Sequence, residues 1–313
     1  MWSMMTALAV ALAALGALGY ALGARLQHAA VQHTMDDNGL GLRNQAQLVR
    51  NGRWLFGLIA LGAGTLLHVC ALGLAPLSVV QPVGAIALPI TVLLSLRDRG
   101  VTLAGLGRNV LLAVVAATGG VAAFVLLAAR SAQATPVGAE EQLVATQIVA
   151  VAVLVLGGLA ALSRSNLRCV LFAAACAVCY GYVSLLMRAV TLQVGTVPLL
   201  EINPLPLLGV VVAVVVGAWL LQHGYASGPP DLVVACMTVI DPLVAVGLGI
   251  GLLGEADNVT AATAAGEALC ALVACAGVFA LARYRTSTEQ QLTAVASGLA
   301  GKSSTDSSDR SCT

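Results

Sequence analysis

The chain has 313 residues, of which 59% are hydrophobic and 9% charged, and its net charge at neutral pH is +1. A soluble domain carries about 25% charged residues, so this composition excludes a surface that faces mainly water. The small net charge also excludes a basic face for nucleic acid. With a mean hydropathy of +0.95, the chain is expected to have the lipid bilayer as its main partner.

Nine stretches are long and apolar enough to cross a bilayer, which takes about 20 residues per helix. They are 4–24, 54–74, 77–96, 105–129, 143–162, 169–187, 205–222, 231–253 and 259–281. The sequence therefore predicts an all-α fold, a polytopic membrane bundle of about nine transmembrane helices in the cell membrane.

The segments outside the spans differ in character. The polar loop 25–53 is predicted to hold a short interfacial helix around Leu40–Val49. The tail 286–313 is rich in Ser, Thr and Gly and has almost nothing to bury, so it is predicted to be a disordered cytoplasmic tail.

The positions of the basic residues predict the orientation. With the N-terminus outside and the C-terminus inside, 13 of the 15 Lys and Arg residues fall in inner segments, as the positive-inside rule requires. The two exceptions, Arg130 and Arg188, lie at helix ends, where a long side chain reaches the interface. The first span has no basic residue before it and Arg25 after it, so we expect it to stay as a helix.

The windows 64–94 and 217–247 align without gaps and share five identical positions. Each reads as a helix, a turn that contains proline, and a second helix with a helix-breaking proline, Pro89 in one and Pro242 in the other. The first window begins on the second predicted span and the second window on the seventh. Because this offset of five spans is odd, equivalent helices run in opposite directions and the two copies are inverted. Inverted repeats with interrupted helices are typical of secondary transporters.

Two motifs resemble a known superfamily. The segment A-P-L-S-V-V-Q-P-V-G-A-I (75–86) is similar to the motif of the NIPA-like branch of the drug/metabolite transporter (DMT) superfamily. The segment D-P-L-V-A-V-G-L-G-I-G-L-L-G-E (241–255) resembles the second-half motif of its EamA-type members. The resemblance implies two inverted repeats, here four spans in 1–129, with the loop 25–53, and five in 143–285.

Two carboxylates lie deep inside predicted spans and are the first candidates for a substrate or ion pathway. They are Asp241 in the eighth span and Glu267 in the ninth. An intramembrane charge costs about 2.5–3.5 kcal/mol on insertion scales and therefore indicates function by default. Asp241 also precedes Pro242, whose missing N–H frees a carbonyl one turn earlier, at Thr238. The alternative is that both acids are protonated and hydrogen-bonded, with Thr238 and Thr263 as partners on the same helix faces.

Further pathway candidates are Thr65, His68, Gln81 and Tyr180. His68 and Gln81 flank the turn of the first repeat and are placed to line an entry path from outside. Thr65 stands where the NIPA-like pattern has an acidic residue, which favours a metabolite over magnesium. For each of the four, the alternative is an ordinary structural hydrogen bond.

These features predict a secondary transporter that moves a small metabolite by alternating access, with proton coupling as an option. The alternatives are a NIPA-like carrier of Mg²⁺ or another divalent cation, and a membrane scaffold that transports nothing. The chain contains no clustered His/Asp/Glu set and no phosphate-binding loop, so we expect no enzyme, no cofactor and no resident metal site. The expected partners are the bilayer and a small-molecule or ion substrate, and a homodimer is an open alternative.

Overall fold

A computed structural model describes residues 4–35, 46–74, 80, 83–98, 107–131, 138–196, 204–253 and 260–284. Nine helices of twelve residues or more lie within these ranges. They are α1 (Met4–Thr34), α2 (Gly52–Leu74), α3 (Ala87–Asp98), α4 (Arg108–Ser131), α5 (Ala139–Leu162), α6 (Ser165–Thr196), α7 (Pro204–Ser227), α8 (Pro230–Leu253) and α9 (Ala261–Tyr284).

Eight of these helices, all except α3, are long and apolar enough to cross a membrane. Their exposed faces carry large aliphatic and aromatic side chains, for example Phe56, Leu154 and Phe279, which are 68%, 74% and 69% exposed. Such faces suit contact with lipid. The expected polytopic helical bundle is confirmed at this level.

The third predicted span, 77–96, is interrupted. Residues 75–79 and 81–82 lie outside the described ranges, and α3 follows a turn at 85–86. Pro89 has no N–H to donate to the carbonyl of Ala85, and the N–H of Leu88 donates to it instead, at 3.3 Å. The turn at 85–86 thus lies one helical turn before Pro89, where the proline removes a helical hydrogen bond.

Two helices extend furthest beyond their predicted bounds. The segment 25–34, predicted as part of a loop, continues α1 to Thr34, and α6 covers Ser165–Thr196 instead of 169–187. The hydropathy signal ends where polar residues begin, but no glycine or proline stops either helix there. Of the predicted helix around 40–49, residues 46–48 are helical and 40–45 lie outside the described part, as does the tail 286–313.

The first two helices pack closely through glycines. A Cβ placed on Gly16 would lie 2.9 Å from the carbonyl oxygen of Gly64, and one on Gly23 would lie 2.9 Å from that of Gly57. The contacts run in opposite directions along the two helices, so α1 and α2 are antiparallel. Small residues let helix backbones approach where lipid, not water, surrounds them.

The last helix packs on α4 in the same manner. A Cβ on Gly120 would lie 2.7 Å from the backbone nitrogen of Ala274, and one on Gly277 would collide with that of Ala117. This antiparallel pair joins a helix from the beginning of the bundle to the final one.

One end of the bundle gathers the last residues of some helices and the first residues of others. Arg25, late in α1, forms an ion pair with Asp98 at the end of α3. Phe172, near the start of α6, stacks on His223 near the end of α7, with 5.2 Å between ring centroids. We call this the basic end, because Arg97, Arg108, Arg164 and Arg168 lie at or within a few residues of helix termini there, and Arg25 reaches Asp98 from a position nine residues before the end of α1.

Candidate functional site

Asp241 lies at the middle of α8, immediately before Pro242. The proline cannot donate the hydrogen bond that the carbonyl of Thr238 would accept in a regular helix. A half-buried carboxyl group and a backbone carbonyl without its helical partner therefore lie within one turn of each other. Both are oxygen groups that could hold a polar solute or a cation.

Three side chains from other helices interact with this carboxylate. Tyr20 of α1 and Cys176 and Tyr180 of α6 lie close enough to Asp241 to interact with it electrostatically. Tyr180 also hydrogen-bonds the thiol of Cys176. The site thus presents one acid and two phenol groups, with no cationic side chain among these neighbours.

A glycine brings α6 against α8 at this point. A Cβ on Gly181 would lie 2.8 Å from the carbonyl oxygen of Asp241 and 2.8 Å from the Cβ of Val244. Tyr180, the residue before Gly181, interacts electrostatically with Asp241 across this close approach of the two helices.

The α2 side of the site is formed by Thr65 and His68. The Tyr20 hydroxyl donates to Oγ1 of Thr65 at 3.3 Å, and Thr65 donates to the Leu61 carbonyl at 3.0 Å. The His68 ring lies 6.4 Å from that of Tyr20 and packs on Gly84. Its Nδ1 is buried and has no hydrogen-bond partner among the described residues.

Most of the predicted pathway residues belong to one region of the bundle. This region contains Asp241, Thr238, Tyr180 and Thr65, and His68 lies at its edge, where its ring is near that of Tyr20. Gln81 is outside the described residues.

Glu267 belongs to a different helix interface. It is buried, 5% exposed, and one residue away Gly266 contacts Leu127 of α4. The described neighbours of Asp241 are on α1 and α6, so the two acids are on different surfaces of the bundle. Thr263, the suggested partner of Glu267, has its hydroxyl 2.9 Å from that of Thr260 at the start of α9.

The sequence did not predict a polar network at the basic end. The Gln222 side chain accepts from Trp54 Nε1 at 3.0 Å and donates to Oε1 of Gln27 at 3.3 Å. The carbonyl of Tyr225 lies 2.9 Å from Nε2 of Gln32. Nδ1 of His28 is 3.1 Å from the same oxygen.

This network joins α1 and α2 to α7. Gln27 and Gln222 are almost fully buried, at 1% and 7% exposed. A buried amide is stable only when it is hydrogen-bonded, and these two satisfy each other. The signal was available in the sequence, because 25–34 contains polar residues at helical spacing with no helix-stopping residue.

No group of three or more His, Cys, Asp or Glu side chains within the described ranges could hold a metal ion. None of the seven cysteines in those ranges is in a disulfide. The site in the described part of the chain thus offers oxygen groups, two tyrosine rings, the Cys176 thiol and, at its edge, the His68 ring.

Comparisons with known proteins identify no relative: no known family, no curated protein and no solved structure matches this chain. The function must therefore be argued from the site and from the arrangement of the helices.

Proposed function

We propose that this protein is a secondary transporter, similar in organisation to the drug/metabolite transporter superfamily, that moves a small solute by alternating access. The observation that carries the proposal is Asp241. It lies at the middle of α8, a continuous helix that contains Pro242, and polar groups of α1 and α6 are near enough to interact with it electrostatically. An ionisable residue inside a membrane span marks a substrate or ion pathway by default, and secondary transporters hold their substrates near the middle of the bilayer.

The contacts at the basic end support a chain that crosses the membrane nine times. Parts of α1, α3 and α7 near their last residues meet the first parts of α2 and α6 there. If every helix crosses, odd-numbered helices end on the side where even-numbered helices begin. The ion pair between Arg25 and Asp98 fits this alternation only if α3, together with the residues before it, counts as a crossing.

The network of Gln27, Gln222 and Trp54 supports a closed gate at the basic end. It ties the first repeat to the second by side-chain hydrogen bonds of 3.0 and 3.3 Å. Each such bond contributes about 0.5–1.5 kcal/mol, which is small enough to break during a transport cycle. The bundle would then represent the state closed at this end, with access to Asp241 from the opposite side.

The second candidate function is transport of a divalent cation. It is favoured by the carbonyl of Thr238, left without its helical donor one turn from Asp241. Hard cations such as Mg²⁺ prefer oxygen ligands and need only one or two carboxylates when they keep part of their water shell.

The proposal is tested by reconstituting the full chain in liposomes that contain a pH dye and a Mg²⁺ dye. A panel of small metabolites and a Mg²⁺ gradient are applied to wild type, Asp241→Asn and a control, Glu140→Gln. Glu140 is exposed in the first turn of α5, so its replacement changes the same chemical group outside the site.

We expect a metabolite-dependent signal that falls at least about tenfold in Asp241→Asn and is unchanged in Glu140→Gln. Loss of a Mg²⁺ signal in Asp241→Asn alone would select the cation carrier instead. A folded wild-type protein that moves neither, or an Asp241→Asn variant that equals wild type, would overturn the transporter proposal and favour a scaffold.

A further inference from the structure

A cluster of aromatic and basic side chains lies on the α6–α7 surface at the basic end. The His223 ring packs between Phe172, stacked at 5.2 Å, and Trp219, edge-on at 4.4 Å between centroids. The Arg168 guanidinium lies 5.6 Å from the centroid of Phe172, on the same stack. Arg164 precedes the first residue of α6 by one position.

The proposed transport cycle does not use this cluster. The electrostatic neighbours of Asp241 are Tyr20, Cys176 and Tyr180, none of which belongs to it. Arg164 and Arg168 are exposed, and Trp219 is 42% exposed although its ring is anchored on His223. Side chains held in place by ring stacking and still open to the surroundings are suited to bind a ligand from outside the bundle.

The charge of the cluster indicates the ligand. Within the described part of the chain, Arg25 forms an ion pair with Asp98. In the same part of the chain, neither Arg164 nor Arg168 forms an ion pair with a carboxylate. Arg168 also lies in the first turn of α6, and the unpaired backbone N–H groups at a helix start favour an anion. Guanidinium groups bind phosphate oxygens in pairs of hydrogen bonds, which makes arginine better suited than lysine to this task.

The depth of Trp219 points to a lipid as the source of that phosphate. Trp219 lies eight residues before the end of α7, about 12 Å along the helix axis. Tryptophan prefers the level at which acyl chains meet headgroups, and arginines one or two turns nearer the helix end reach the phosphate level. The surface around Trp219 carries exposed aliphatic side chains of α7, such as Val212 and Val215, suited to an acyl chain.

We propose that Arg164, Arg168 and Trp219 form a binding site for an anionic phospholipid. The two guanidinium groups hold the phosphate, and the indole ring packs against the upper part of an acyl chain. The site does not depend on the transport function, because it requires only that α6 and α7 face the bilayer.

The test uses the fluorescence of Trp219 in the full-length chain. The protein has three tryptophans, so Trp2→Phe and Trp54→Phe leave Trp219 as the only emitter. This parent is placed in nanodiscs of phosphatidylcholine that contain increasing fractions of brominated phosphatidylglycerol or brominated phosphatidylcholine. Bromine quenches indole on contact, so quenching reports which lipid occupies the site.

In the parent, half-maximal quenching is expected at a roughly tenfold lower mole fraction of the anionic lipid than of phosphatidylcholine. The preference is expected to disappear in Arg164→Gln/Arg168→Gln and to weaken without disappearing in Arg164→Lys/Arg168→Lys, because lysine keeps the charge but not the paired hydrogen bonds. The control Arg50→Gln/Arg53→Gln removes two exposed charges at and just before the start of α2 and is expected to keep the full preference.

Equal quenching by the two lipids in the parent would overturn the proposal. So would a preference that survives Arg164→Gln/Arg168→Gln, or one lost to the same extent in the Arg50→Gln/Arg53→Gln control, because total charge would then explain it. Circular dichroism and size-exclusion profiles that match the parent are required of each variant, and the lysine variant keeps the test decisive if the glutamine variant is unfolded.

Discussion

Two tyrosines on α6, two positions apart, make contacts on different faces. Tyr180 interacts electrostatically with Asp241 and packs against Gly217, whereas the Tyr182 hydroxyl is 2.6 Å from Oγ1 of Thr146 on α5. The pair offers a comparison in which the same hydroxyl group is removed from the site or from a structural contact.

Tyr180→Phe is expected to reduce solute transport by about tenfold or more with little change in stability, because Tyr180 interacts electrostatically with Asp241. Tyr182→Phe is expected to leave transport unchanged and to lower the free energy of unfolding by about 1 kcal/mol, the usual effect of one lost hydrogen bond. Initial rates in liposomes and unfolding in mixed micelles measure the two effects. Equal transport losses in both variants would show that Tyr180 has no special relation to the site.

The site could be predicted from the sequence only in part. Asp241 and Pro242 were found because an acid and a proline are both costly inside an apolar helix. Tyr20 was missed, since an aromatic residue in a span is typical of lipid contact and its hydrogen bond to Thr65 depends on packing. Glu267 is also an acid inside an apolar span, so the sequence could not distinguish it from Asp241. The three-dimensional packing shows that the two acids lie at different helix interfaces.

Pairs of helices depend on glycines whose position can be tested individually. A Cβ on Gly64 would lie 2.8 Å from the carbonyl oxygen of Gly16, whereas a Cβ on Gly62 would meet nothing within 4 Å. Both residues lie in α2 and both would become alanine, so intrinsic helix propensity cancels in the comparison.

Gly64→Ala is expected to destabilise the bundle by about 1–3 kcal/mol, because α1 must move away from α2. Gly62→Ala is expected to be neutral or to stabilise by up to about 1 kcal/mol through better helix propensity. Thermal unfolding of the purified protein distinguishes the two. A Gly64→Ala variant as stable as Gly62→Ala would contradict the close packing of α1 on α2.

The proline inside α8 gives a prediction in which stability and activity move in opposite directions. Pro242→Ala restores an N–H that can donate to the carbonyl of Thr238, so that carbonyl is no longer available to a ligand. The variant is expected to unfold at the same or a higher temperature and to lose most transport. A loss of stability together with retained transport would mean that the proline serves packing alone.

Helix existence was well predicted because about 20 apolar residues in succession have few other solutions in a membrane. Helix ends were predicted less well at α1 and α6, where polar residues continue the helix beyond the apolar stretch. Pro89 in the sequence predicted a break in the third span. The sequence did not predict which helices pack together, because glycine contacts depend on the tertiary arrangement. Orientation and the inverted repeat remain predictions.

The bundle as a unit combines a polar network at the basic end with an acidic site at mid-helix. The network of Gln27, Gln222 and Trp54 joins α1, α2 and α7 at that end by hydrogen bonds. Asp241 lies beyond it, about halfway along α8. In an alternating-access cycle, the region around Asp241 is open to one side of the membrane at a time.

The most direct test is the chemical accessibility of Thr238, which lies one turn from Asp241 and is half-buried. A cysteine-free background with Thr238→Cys is reconstituted with known sidedness and treated with a membrane-impermeant thiol reagent from each side. We expect modification from the side opposite the basic end alone, and a switch to the basic end when Gln27→Leu and Gln222→Leu remove the network. Modification from both sides at once would indicate a channel, and modification from neither side in both proteins would contradict a transport site at Asp241.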